Sequence, residues 1–209
     1  VTATSPTTTV SVTGLQPGTQ YVASVTATNA AGASPSVTSS TFVTKPALST
    51  SVSSATGAVN TSLTPITTTL LAEAGSSATY AISGTLPAGL EFDTATGTIS
   101  GTPTTVTTAT TVTITASVLI GSDTKTATTN VTISVALSPQ TTLTLAGGSA
   151  NIGDTVTVTV GGGSSTGNIT YAVTGGTATG CSVNAQGEVT STGAGTCIVR
   201  ATKDGDSTF

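Results

Sequence analysis

The chain has 209 residues, 54 of them Thr and 26 Ser, so small hydroxyls occupy 80 positions. Four Lys plus Arg against eight Asp plus Glu leave a net charge of −4, and the sequence has no His, Met or Trp. Such a pool lacks the residues from which most active sites are assembled, and it offers no basic footprint for nucleic acid.

Val, Ile and Leu alternate with Thr over long stretches. Thr is β-branched and suits the wet face of a sheet whose dry face is aliphatic, so the pattern predicts strands rather than disorder. The 24 Gly and 8 Pro then read as turns. No apolar run approaches the roughly 18 residues of a membrane span. Val1 to Pro6 is no signal peptide, and the lack of any Met, an initiator included, predicts a piece of a longer chain. The expected class is all-β, a row of tandem β-sandwiches.

An internal repeat sets the expected spacing. Strands end in the pattern apolar, any, Ala, polar at Val25-Thr26-Ala27-Thr28, Ile114-Thr115-Ala116-Ser117 and Val199-Arg200-Ala201-Thr202, which lie 89 and 85 positions apart. That interval suits one small sandwich of roughly 100 residues per repeat. The predicted domains are residues 1–45, 46–136 and 137–209.

In the first, Leu15-Gln16-Pro17-Gly18-Thr19-Gln20-Tyr21, followed by Val22, Val25, Ala27, Asn29 and Gly32, resembles the fibronectin type III signature. The resemblance implies a structural corner made by Leu15, Pro17 and Tyr21, with the Tyr21 ring inside and its hydroxyl returned to the backbone near Leu15. It also implies that Tyr21, Ala23, Val25 and Ala27 face a core, and that a strand through Phe42 and Val43 closes the domain before Pro46. Only the late strands of a seven-strand plan are present, too little to bury a normal sandwich core alone.

In the second, Leu86-Pro87-Ala88-Gly89-Leu90-Glu91-Phe92-Asp93 and Thr96-Gly97-Thr98-Ile99-Ser100-Gly101-Thr102-Pro103 resemble the Ig-like, cadherin-like repeat of large bacterial surface proteins. Leu90 and Phe92 are expected to point inward, Asp93 to Gly97 to turn, and Ile99 to return to the core. Val112, Ile114, Ala116 and Val118 form one inward row and Val131, Ile133 and Val135 another, joined by a loop at Gly121-Ser122-Asp123.

In the third, Val156, Val158 and Val160 are assigned to one strand and Ile169, Tyr171 and Val173 to the next. A hairpin over Val183 to Val189 parallels the Phe92-to-Ile99 turn with one residue fewer. Gly180-Cys181-Ser182-Val183 and Gly195-Thr196-Cys197-Ile198-Val199 resemble Cys-containing Ig-like repeats of bacterial adhesins, which implies a domain lacking its last strand. Cys181 and Cys197 are expected to form a disulfide suited to an oxidising compartment; the alternative is two small buried thiols.

Glu91 with Asp93, and Asp204 with Asp206, are weak calcium candidates. The competing reading is solvated loop carboxylates, because calcium normally gathers six to eight oxygens. No catalytic residue, metal or other cofactor is expected. Asn60, Asn130 and Asn168 head glycosylation sequons at a chance frequency, and Lys45, Lys125 and Lys203 fall near strand ends or loops, unsuited to isopeptide cross-links.

Joints containing Pro46 and Pro139 predict a semi-rigid series of domains. The expected function is a non-catalytic stalk or fibre segment of a large secreted or cell-surface bacterial adhesin-like protein. Its partners are neighbouring domains of the same longer chain, with no nucleic acid, no membrane insertion in this segment and an unspecified ligand. One alternative is a homo-oligomeric, self-assembling extracellular filament, since few charges guard the sheet edges and a partner could complete the first domain by strand addition. The other is a spacer in a secreted polysaccharide-degrading enzyme; direct sugar binding is disfavoured, because most of the six aromatic residues are assigned to cores.

Overall fold

The computed structural model describes residues 9–209, which are all-β. They form two compact units. One runs to Gly57 and resumes over Ser62–Val135; the other joins Ala58–Thr61 to Ala136–Phe209. Residues 9–45 therefore cluster with the second predicted domain rather than forming a unit of their own.

Among the described residues six two-residue strands come first: β1 (Gln20–Tyr21), β2 (Ser24–Val25), β3 (Thr28–Asn29), β4 (Gly32–Ala33), β5 (Val37–Thr38) and β6 (Phe42–Val43). They belong to one long hairpin, with β1 paired to β6, β2 to β5 and β3 to β4. Between Tyr21↔Phe42 and Ser24↔Thr38, and again between Val25↔Val37 and Thr28↔Ala33, the returning strand holds one residue more than the outgoing one. Each extra residue makes a bulge and takes a backbone carbonyl out of reach. Serine hydroxyls replace it: Ser39 Oγ accepts from Ala23 N at 2.9 Å and Ser34 Oγ from Ala27 N at 3.0 Å, while the two serine amides donate to the Ala23 and Ala27 carbonyls. Thr44 Oγ1 does the same for Thr19 N at 2.8 Å.

The expected inward row of this segment is corrected here. Tyr21 is half-buried, but Ala23, Val25 and Ala27 are exposed. Val25 is 68% accessible, and Val22 and Val37 are also open to solvent. A single hairpin has two free faces, and among the described residues no second sheet covers either.

The next eight strands are β7 (Ala47–Thr50), β8 (Ser54–Ala58), β9 (Thr68–Leu71), β10 (Ser77–Ser83), β11 (Leu90–Asp93), β12 (Thr98–Gly101), β13 (Thr107–Ile120) and β14 (Asp123–Ala136). One sheet has the order β10-β13-β14-β8. The pairs β7-β9 and β11-β12 lie apart from it in hydrogen bonding, and the bridge Ile66↔Ile99 ties the segment before β9 to β12. The core consists of Leu63, Ile66, Leu90, Ile99, Val112, Ile114, Val131 and Ile133, with Tyr80, Ile82 and Phe92 packed against it. Ala116, Val118 and Val135 are buried in the same alternating rows. Each fully buried aliphatic side chain contributes about 1.5–3 kcal/mol. On the opposite face hydroxyls meet across the ladder: Thr111 and Thr132 at 3.0 Å, and Thr113 Oγ1 donating to Asn130 Oδ1 at 2.8 Å.

The final strands are β15 (Thr144–Ala146), β16 (Val156–Thr157), β17 (Thr159–Gly161), β18 (Ile169–Gly176), β19 (Ser182–Val183), β20 (Glu188–Thr190) and β21 (Cys197–Lys203). Their sheets are β15-β17, β16-β20-β19 and β18-β21. The single strand expected over Val156 to Val160 is thus two. Val158 is the switch: β16 pairs with β20, β17 pairs with β15, and Val158 between them donates its amide to Gly187 O at 2.9 Å. Within Ala136–Phe209 it is the one aliphatic side chain among the described residues that is buried outright.

In the second and third of its three copies the internal repeat has a side-chain basis. In β13 Ala116 pairs with Tyr80, and in β21 Ala201 pairs with Tyr171. The small residue leaves room for the ring, and a turn glycine covers the ring from above. A Cβ on Gly97 (φ 71°) would stand 2.7 Å from Tyr80 Cδ1, and one on Gly187 (φ 80°) would stand 3.0 Å from Tyr171 Cζ. The hairpins that carry these glycines pair Phe92↔Ile99 and Val183↔Val189, so the second is one residue shorter.

Burial and exposure predict opposite costs for two truncations. Ile114→Ala, in the closed core, is expected to destabilise the second module by about 2–5 kcal/mol. Val25→Ala, on the open hairpin, should change stability by no more than about 0.5 kcal/mol. Urea titrations of the full chain, followed by amide signals from β13 and from β2, measure both.

Candidate functional site

In the first unit a hydrogen-bonded corner forms at the start of β1. Gln16 N donates to Tyr21 Oη at 2.9 Å, and the Tyr21 ring stacks on Phe42 with centroids 6.1 Å apart. Leu15 and Pro17 are half-buried beside it. Two threonines that sequence reasoning did not single out complete the corner. Thr44 Oγ1 donates to Gln16 O at 2.7 Å and Thr19 Oγ1 to Pro17 O at 3.0 Å. The sequence carried no special signal for them, since Thr is its commonest residue.

In the second unit Cys181 and Cys197 are joined in a disulfide with Cα atoms 5.8 Å apart. The bond ties the start of the β19–β20 hairpin to the start of β21, linking two separately hydrogen-bonded sheets. Beside it lies a half-open groove of about 400 Å³, with Leu145, Val156, Val158, Val189, Cys197 and Val199 among its lining residues. Its lining combines these aliphatic side chains with glycine, serine and threonine. Asp154 is the one lining carboxylate; Asn151 Nδ2 donates to its Oδ2 at 3.2 Å. Such a lining can take up an apolar side chain and supplies no nucleophile–base pair.

The four carboxylates considered for calcium are not brought together. Glu91 is exposed, opposite Ser100. Asp93 is occupied in its own turn: Oδ1 accepts from Ala95 N and Oδ2 from Thr96 Oγ1, both at 2.8 Å, and these bonds hold its carboxyl below the usual range. Asp204 offers its backbone carbonyl to Gln140 Nε2 at 3.3 Å and to the buried Ser165 hydroxyl. Asp206 is bound at both oxygens. Its Oδ2 accepts from Thr166 N at 2.7 Å and Thr166 Oγ1 at 2.9 Å, and its Oδ1 from Thr208 N at 2.9 Å and Phe209 N at 3.0 Å. The Thr166 amide first, then those of Thr208 and Phe209, hold its carboxyl pKa well below the usual carboxylate range. Among the described residues no three His, Cys, Asp or Glu stand together as a metal cluster. Of the lysines, Lys125 pairs with Asp123 at 3.5 Å, and Lys203 Nζ donates to Gly163 O at 3.0 Å.

Comparison with known proteins places two modules on the chain. Residues 1–43 match the family described as "Fibronectin type III domain", and residues 42–136 match the family described as "Putative Ig domain". Among curated proteins none matches by sequence. Human protocadherin-24 EC1-2 is similar in structure at 16% identity and a TM-score of 0.34, covering 71% of this chain and 77% of that one. Drosophila N-cadherin EC1-4 is similar at 14% identity and a TM-score of 0.36; the match covers 91% of this chain but 56% of N-cadherin EC1-4.

Two outcomes follow from the second unit. The double variant Cys181→Ser/Cys197→Ser should lose about 3 kcal/mol, the chain-entropy value for a loop of this length. Unreduced protein should resist alkylation, and free thiols there would contradict the bond. Asp206 has a folded pKa below its unfolded value of about 4. Its contribution is therefore complete above that value and lost as pH falls through the lower folded one. Asp206→Asn keeps one acceptor oxygen and sets an amide NH₂ against the donors of the other. The variant should be less stable at neutral pH and lack the corresponding part of the acid-induced loss, as followed by thermal melts between pH 2 and 7.

Proposed function

We propose that the chain is a non-catalytic stalk segment of a large secreted or cell-surface bacterial protein of adhesin type. The observation that carries this reading is the adjacency of the two matched modules. The fibronectin type III match ends at residue 43 and the Ig match begins at residue 42, which leaves no linker between them. Modules of these kinds are typically non-catalytic, and serial placement extends a chain outward without supplying chemistry. The Cys181–Cys197 bond supports an oxidising, extracellular setting.

An antibody raised against residues 46–209 should label intact cells that make the protein, and mild protease treatment of those cells should remove the label. Labelling that appears only after permeabilisation would overturn the assignment. Sequencing the intact polypeptide separates a stalk from an enzyme spacer, because the spacer requires a catalytic domain elsewhere in the chain. A filament is the second reading, favoured by the hairpin that leaves Val22, Val25 and Val37 more than half exposed. Ordered fibres of native material in negative-stain microscopy would support it; monodisperse short particles would count against it.

A further inference from the structure

We propose that the tyrosine corner of the first module also serves as a latch that fixes this module to the second. Gly18 lies at its centre. Its φ of 55° is in the left-handed region, and it is buried. Its amide donates to Lys45 O at 3.0 Å, within the joint, and its carbonyl accepts from Glu73 N at 2.9 Å, from the second module just beyond β9. The backbones approach so closely that a Cβ on Gly18 would stand 2.9 Å from Ala72 Cα and 3.1 Å from Pro46 Cβ. Only glycine combines this conformation with this approach.

The corner makes the loop stiff enough to dock. Tyr21 Oη, Thr44 Oγ1 and Thr19 Oγ1 hold the backbone of Gln16 and Pro17 on either side, so the Gly18 carbonyl is aimed before the second module meets it. A second point of approach lies at the β13–β14 turn. There a Cβ on Gly121 would stand 3.1 Å from Gln20 Oε1, again a glycine beneath a residue of the first module. The two points sit on separate turns of the second module, so together they oppose rotation about either one. Adjacent modules swivel by default when their interface is small, and a backbone hydrogen bond at a site without room for side chains restrains that motion with little added area.

This inference deepens the stalk reading, since a stalk carries a bending load only where its modules do not swivel. It is nevertheless tested independently of cellular location. Backbone ¹⁵N relaxation on the full chain should give one common rotational correlation time for residues 19–44 and 47–135. Gly18→Ala should shorten the apparent time of residues 19–44 alone. Glu73→Pro removes the donor from the second module without altering the first, so it stays informative if Gly18→Ala unfolds the hairpin. A shortened time in either variant, with the hairpin signals retained, supports the latch. Separate times in the unaltered protein overturn it, as does a common time that survives Glu73→Pro while Gly18→Ala either keeps that time or unfolds the hairpin. Either result leaves the surface-labelling outcome untouched.

Discussion

The register of β13 against β14 is the constraint on which the second module depends. Each strand is 14 residues long, and the pair is closed by Gly121-Ser122 with Gly121 at φ 61°. From Ile120↔Asp123 back to Thr110↔Ile133 the ladder holds one register, and it shifts only between Thr107 and Thr110. A slip of one residue in either strand would carry its aliphatic row to the hydroxyl face and its threonines into the core. Tyr80 finds its place opposite Ala116 only in the observed register, and β8 and β10 add to edges that this pair has already set.

Hydroxyls do different work in different parts of the chain. In the opening hairpin they accept from amides that bulges leave without a carbonyl partner. On the β13–β14 ladder they bond to one another and cover the wet side of a closed core. In the corner they fix a loop. The scarcity of charge follows the same logic, because a threonine-covered sheet is solvated without ion pairs, and the two most strongly hydrogen-bonded aspartates are spent on turns.

Much of this was legible in the sequence, and the exceptions have physical causes. The Val112–Val118 and Val131–Val135 rows follow from period-two alternation, and the Phe92–Ile99 and Val183–Val189 turns from an Asx residue followed by glycine. Alternation also marked Ala23, Val25 and Ala27 as inward, yet it reports only which residues share a face and not whether anything covers that face. Val156, Val158 and Val160 alternate as one strand would, but period two cannot show a strand leaving one sheet for another at Val158. The disulfide was legible from cysteine number and spacing. The groove beside it was not, since its lining comes from three separate stretches of the chain, 145–158, 189–191 and 195–199.

The stacking of glycine on tyrosine on alanine has a consequence for how such modules diverge. Gly97, Tyr80 and Ala116 are far apart in sequence, as are Gly187, Tyr171 and Ala201, yet each trio shares one small volume. Enlarging the alanine demands a smaller ring, and losing the ring removes what the bare glycine was there to admit. The three positions are thus free to drift only together, and the pattern should outlast the rest of the sequence as a fingerprint by which further copies of the same module can be found.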